Sequence, residues 1–184
     1  MEQDMATMAR KRVRLAALFP VALSVALIVA DQVSKRWIVA NVPMNTIASR
    51  YLGDFLWIVH ARNLGIAFSI GDSISRLLRI LLFIIMPAGF IVGAVIFGVV
   101  SKKITSLQRY AISIIVAGGI GNLIDRIFRP DGVVDFISFS LFGILGLDRF
   151  PTFNIADLSI TLGASILLIS GFLMEEKETG NDKG

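Results

Sequence analysis

Four long apolar segments take up much of this chain, and a polypeptide that must house all four has few folds open to it. They run from about residue 15 to 30, 77 to 100, 110 to 127 and 155 to 174. Within them the apolar residues come in runs rather than on one periodic face, as expected for helices whose solvent is lipid. Hydrophobic residues make up 55% of the 184 and charged residues only 17%, with a mean hydropathy of +0.75, so a bilayer rather than water is the expected surrounding. A hydrocarbon core takes about 20 helical residues, with about 17 as a practical minimum. The first segment is short by that measure.

Taken alone, residues 1–30 resemble a secretory signal peptide: Arg10, Lys11, Arg12 and Arg14 form a basic leader, an apolar stretch follows, and Ala26 and Ala30 are small enough for a cleavage site. Extending the helix through Asp31-Gln32-Val33-Ser34-Lys35 to Trp37 gives it spanning length and an interfacial aromatic anchor. A retained helix is therefore expected. The predicted fold is mainly α and integral to the membrane, a four-transmembrane-helix bundle with spans at about 15–37, 77–100, 110–127 and 155–174. One domain covers residues 1–174, and the charged, glycine-bearing tail 175–184 is expected to be mobile.

Basic residues before the first span, and Lys102, Lys103 and Arg109 between the second and third, predict a cytoplasmic N-terminus. Four crossings return the C-terminus to the same side. The two external connections, about 41–76 and 128–154, then share the outer side with Asp31, Asp135 and Asp157. In the first, Phe55–Val59 and Ile66–Phe68 suggest two short strands around an Asn63-Leu64-Gly65 turn. Ser73–Ile80 has the spacing of a short interfacial helix, capped by Asp72 or Ser73. The external hairpin and helix occupy about 41–80.

The inventory narrows the chemistry. There is no cysteine and one histidine, His60, which removes disulfides, thiol nucleophiles and zinc-thiolate sites and leaves a Ser-His-Asp triad or multi-histidine metal site unsupported. No cofactor or metal is expected. The net charge of +4 comes without a basic, aromatic-interleaved stripe, so it reads as membrane topology and not nucleic-acid binding. What remains conspicuous is acidic. Ionisable residues at the edge of apolar segments are functional candidates, and Asp135 and Asp157 both sit there. If Asn154 caps the fourth helix, Asp157 occupies its third position, facing the positive helix end. Asp135 follows Val133-Val134 and is expected on a short extended segment or at a helix junction, partly shielded from water, with a raised pKa. The plainer alternative is that Asp157 only caps a helix and Asp135 only closes a turn.

In the third span Gly118, Gly119 and Gly121 allow close helix packing. Asn122, Asp125 and Arg126 follow on one face. Asp125 and Arg126 could form a local ion network, or Arg126 could grip a loop carbonyl or a phosphate.

Five ordered motifs carry a resemblance: Asp31-Gln32-x-Ser34-Lys35, Asn63-x-Gly65-x-Ala67-Phe68-Ser69, Gly118-Gly119-x-Gly121-Asn122-x-x-Asp125-Arg126, Val133-Val134-Asp135-Phe136, and Phe153-Asn154-x-Ala156-Asp157. Together they resemble the motif set of the bacterial lipoprotein signal peptidases, also called signal peptidase II, over about residues 31–160. The likeness implies an aspartic endopeptidase of the cytoplasmic membrane that cuts prolipoproteins before their diacylglyceryl-modified cysteine. It implies Asp135 and Asp157 as the catalytic pair, Asn63, Gly65, Asn122, Arg126 and Asn154 as substrate-binding or supporting residues, and structural or supporting roles for Asp31, Lys35 and Asp125. Prolipoproteins and membrane lipids are the implied partners, with no nucleic acid and a monomeric chain. Leu64 and Ile66 are bulkier than the residues often found in the second motif. Two rival readings remain, an ion-coupled transporter and a non-enzymatic scaffold. A transporter favours midplane carboxylates and repeats, whereas no repeat is visible here and the carboxylates fall at one edge.

Overall fold

The computed structural model describes residues 2–65 and 75–181. Helix α1 runs Glu2–Asn41, α2 Arg76–Val100, α3 Ser106–Phe128 and α4 Ile155–Asn181. Each contains a stretch long and apolar enough to cross a bilayer, the first at Leu18–Asn41. The first span thus continues past Trp37 by one turn, and α4 continues through Glu175-Glu176-Lys177-Glu178, which favour helix, into the segment expected to be a mobile tail. Residues 182–184 lie outside the described residues.

Helix α3 is the central post. Thr105 and Gln108 close a reciprocal capping box at its start, and its buried face, Ala111, Val116, Ala117, Gly118, Gly121, Asn122 and Asp125, meets α1, α2 and α4. Its contact with α4 is the largest between helices. Gly118 makes that approach possible, because a Cβ there would stand 2.3 Å from the Ala156 carbonyl oxygen. Helix α1 contributes Asp31, Lys35 and Ile38, and Val42 just past its end completes a buried stripe at helical spacing whose first half is charged.

Strands β1 (Ile47–Tyr51), β2 (Leu56–Asn63) and β3 (Val133–Phe139) form an antiparallel sheet in the order β1-β2-β3. Strand alternation divides the two faces of β3. Val134 and Phe136 pack with Ile38 of α1 and with Val42 just past its end, and Asp135, opposite Ala61, points the other way.

The β1-β2 hairpin turns at Leu52–Phe55, a turn that sequence reasoning did not mark. Three successive residues, Leu52, Gly53 and Asp54, have φ between 54° and 67°, and the Gly-Asp pair was the turn signal to follow. Asn63-Leu64-Gly65 does turn, with the Gly65 N–H donating to Asn63 Oδ1 at 2.8 Å, but it ends β2. The strand expected at Ile66–Phe68 and the caps Asp72 and Ser73 lie outside the described residues. Ser75 caps α2 instead, accepting from Leu78 N–H at 3.3 Å. The Arg76–Ile80 turn continues directly into the span through a π-helical turn at Leu81–Ile85.

Candidate active site

Both aspartates are organised by one asparagine. Asn154 precedes α4, and its side-chain oxygen accepts from the Asp157 N–H at 2.9 Å while the Asp157 carboxylate accepts from the Asn154 N–H at 3.1 Å. This reciprocal box, built on the expected cap at Asn154 with Asp157 in the third position, holds the Asp157 side chain against the helix start. The amide nitrogen of Asn154 meanwhile donates to Asp135 Oδ1 at 2.7 Å. One side chain thus joins the backbone of the first aspartate to the carboxylate of the second. Each carboxylate has a further amide donor: Asn122 Nδ2 reaches Asp157 Oδ1 at 2.7 Å, and Asn63 Nδ2 reaches Asp135 Oδ2 at 3.1 Å.

The two environments differ. Asp135 is 1% exposed, whereas Asp157 is half-buried. Burial, with the Asp157 charge adding to it, pushes the Asp135 pKa up to about 6, against the opposing pull of the Asn63 and Asn154 amides and the Lys35 charge. Because the folded pKa is raised, stability from holding this proton is full below pH 3.8 and is lost as pH rises through about 6. Asp135→Asn, which carries no charge to bury, is therefore expected to match the parent's stability near pH 4 and to exceed it by about 3 kcal/mol above pH 7. Thermal unfolding in detergent across that range measures it, and a pH-independent difference would contradict the raised pKa.

Beneath the pair lies a buried charge network. Lys35 is 0% exposed, and its ammonium meets Asp31 Oδ2 at 2.9 Å, Asp125 Oδ2 at 3.1 Å and Asn122 Oδ1 at 3.0 Å. Three donors thus have three acceptors. Asp31 Oδ1 accepts from Ala156 N–H at 3.0 Å, tying α1 to the start of α4. Asp125 Oδ2 accepts from Val134 N–H at 3.1 Å, tying α3 to β3 one residue before Asp135. Gly121 leaves room for this arrangement, since a Cβ there would stand 2.7 Å from Asp31 Oδ2. The Asn122 oxygen accepts from both Lys35 and Asn154, so its amide nitrogen is the group left to face Asp157.

Asp125 and Arg126 do not pair with each other. Adjacent helical residues do not face one another; Asp125 instead pairs with Lys35 and with Arg129 one turn later. Arg126 donates to the Phe83 carbonyl at 3.3 Å and lies 5.4 Å from that ring's centroid, so the carbonyl-gripping alternative describes it, with the carbonyl on α2 rather than in a loop. Its charge is within reach of both Asp135 and Asp157. Gly65 sits against the same ring, where a Cβ would come within 2.8 Å. Sequence reasoning missed Gln32 and Arg129. Gln32 donates to Asp31, Asp125 and the Gly121 carbonyl; the i,i+4 spacing of Asp125 and Arg129 was a usable signal.

Comparison with known proteins gives this arrangement a family. The model of signal peptidase (SPase) II matches residues 23–173, a stretch that contains all the residues of this site. The chain belongs to the signal peptidase II family. Similar proteins include the lipoprotein signal peptidase of Treponema pallidum (strain Nichols), 46% identical over 152 residues covering 82% of this chain and 81% of that one. That of Borrelia hermsii (strain HS1 / DAH) is 41% identical over 83% of this chain and 89% of its own. Two solved structures, both described as a bacterial membrane enzyme structure obtained by the in meso method, share the fold. One has a TM-score of 0.70 at 32% identity, covering 82% of this chain and 90% of that chain. The other has 0.71 at 30%, covering 87% and 90%. Signal peptidase II is a protease family, and its membership accords with four membrane-spanning helices.

Proposed function

We propose that this signal peptidase II family member is an aspartic endopeptidase that removes the signal peptide of diacylglyceryl-modified prolipoproteins just before the lipidated cysteine, with Asp135 and Asp157 activating water. The observation that carries the reading is Asn154, hydrogen-bonded at once to the Asp135 carboxylate and the Asp157 backbone. A water held between the carboxylates would lose a proton to Asp157 as its oxygen bonds the scissile carbonyl carbon. Asp135, which holds its proton up to about pH 6, donates to the carbonyl oxygen. On collapse the C–N bond breaks, Asp157 passes its proton to the leaving nitrogen, and Asp135 recovers its own from the intermediate's hydroxyl. Asn63, Asn122 and Asn154 hold the carboxylates, and Arg126 supports them from the α2 side.

The reading includes a multi-pass chain in the bacterial cytoplasmic membrane, acting as a monomer with both termini inside and the aspartates at the outer edge. A signal helix lying among the spans would present its cleavage site at the water level while its acyl chains stay in lipid. Reconstituted protein is expected to shorten a diacylglyceryl-modified prolipoprotein, giving a product that begins at the modified cysteine by mass spectrometry. It is expected to leave the unmodified precursor intact. Equal cleavage of both, or of neither, would overturn the substrate assignment.

A further inference from the structure

The connection between β3 and α4 carries an apolar knob that the proposed chemistry does not use. Phe142 is 74% exposed, Ile144 62% and Leu147 47%. They ride on a compact turn in which Phe142, Gly143 and Gly146 have φ of 52°, 81° and 72°, around a short 3-10 turn at Ile144–Gly146. Much of its backbone is paired internally: Leu141 N–H donates to the Asp148 carbonyl at 2.9 Å, Ile144 to Leu141 at 3.0 Å, Gly146 to Gly143 at 3.1 Å and Leu147 to Ile144 at 3.2 Å. Internally paired backbone is what a loop needs to leave water cheaply.

The base of the knob is pinned. Arg149 donates to Ser138 and to the carbonyls of Asp54 and Phe55, and lies 3.8 Å over the Trp57 ring. A chain of rings, Phe142, Phe55, Phe139, Phe150 and Phe153, with neighbouring centroids 4.8 to 6.2 Å apart, runs from the tip back to the mouth of α4. Phe153 stands two residues before α4 begins, and Ile127 and Phe128 are exposed at the end of α3 on the same side of the bundle. The knob is thus linked by stacked rings to the start of the fourth span, with further exposed apolar side chains at the end of the third. Asp148 and Arg149 form its polar rim, and no charged residue interrupts Leu141–Leu147.

We infer that the Leu141–Leu147 turn is a wedge that inserts into the headgroup–acyl boundary of the leaflet beside the aspartates. Apolar tips with a polar rim bind that boundary by burying their apolar area in it. Because the wedge grows directly from β3, it sets the depth of the strand that carries Asp135. The inference rests on the chain's residence in a bilayer and not on the reaction, so loss of the peptidase reading would leave it standing.

The chain has no cysteine, so a nitroxide can be attached to Phe142→Cys, Ile144→Cys or Leu147→Cys singly. In liposomes the ratio of collision rates with oxygen to those with a neutral nickel chelate is expected to fall below that of Leu168→Cys, an exposed position deep in the span of α4. It should exceed that of Asp131→Cys, in an exposed turn, several-fold. Ratios at 142 and 144 equal to that at 131 would overturn the inference. So would spin–spin broadening that disappears on dilution with unlabelled protein, which would mean that a second copy covers the knob. Three sites keep the test decisive should one variant fail to fold.

Discussion

Asp157→Asn is expected to lower cleavage of a lipidated precursor by about 10²–10⁴-fold or more, and Asp135→Asn by a similar factor. Asp157 accepts from Asn122 and from the Asn154 backbone, which leaves it a hydrogen-bonded carboxylate at the water side of the pair, suited to take a proton. An amide in its place cannot. Asp135→Asn retains a neutral group in the same shape but has no acidic proton to transfer. Since the two act on one water, the double variant is expected to be no slower than either single one, as for groups that function as a unit. Initial rates from the mobility shift of the precursor measure all three. Near-parental cleavage by either single variant would remove the dyad from the mechanism, and the rise in stability expected of Asp135→Asn separates lost chemistry from lost fold.

Lys35→Met is expected to do the reverse, damaging the fold first. The ammonium is wholly buried and lies within 3.1 Å of two carboxylates, so its removal leaves Asp31 and Asp125 facing each other without their shared cation. Breaking a buried ion pair from one side costs about 3–5 kcal/mol, which corresponds to an apparent Tm lower by roughly 10 °C. Activity should fall as well, because the Asn122 oxygen loses a donor that fixes which way its amide points at Asp157. Adding Asp31→Asn and Asp125→Asn to Lys35→Met is expected to restore much of the Tm, since no bare charge then remains buried. An unchanged Tm in Lys35→Met would show that the partners these carboxylates already have, Gln32 and Arg129, suffice without the ammonium.

The parts of the site that were legible in the sequence are those governed by local geometry. The Asn154-Asp157 box depends on three residues of helix start, and it formed as its spacing implied. Asp135 lies on an extended strand, where Val133 and Val134 are β-branched, and it is buried more completely than the partial shielding expected. Three of the four spans follow from hydrophobic run length alone, and the first needed extension through its polar end to Trp37, with errors confined to the ends. Pairing was less legible. The β1-β2 turn at Leu52–Phe55 went unmarked because β1 is mostly exposed, with little hydrophobic alternation to reveal it, and β3, which completes the sheet, arrives 70 residues after Asn63.

By itself, the sequence determined a four-span membrane protein with two aspartates at one edge, each in a predictable local setting, and an ordered motif set that names its family. Only the tertiary structure decided that a single asparagine joins the two, and that Lys35 binds Asp31, Asp125 and Asn122 together. Lys35 and Asn122 are 87 residues apart in the chain, and Asp31 and Ala156 are 125 apart. No local propensity encodes such contacts. They exist because helices packed through glycines exclude water from the interior, and there every buried charge and amide needs a partner, whichever helix supplies it.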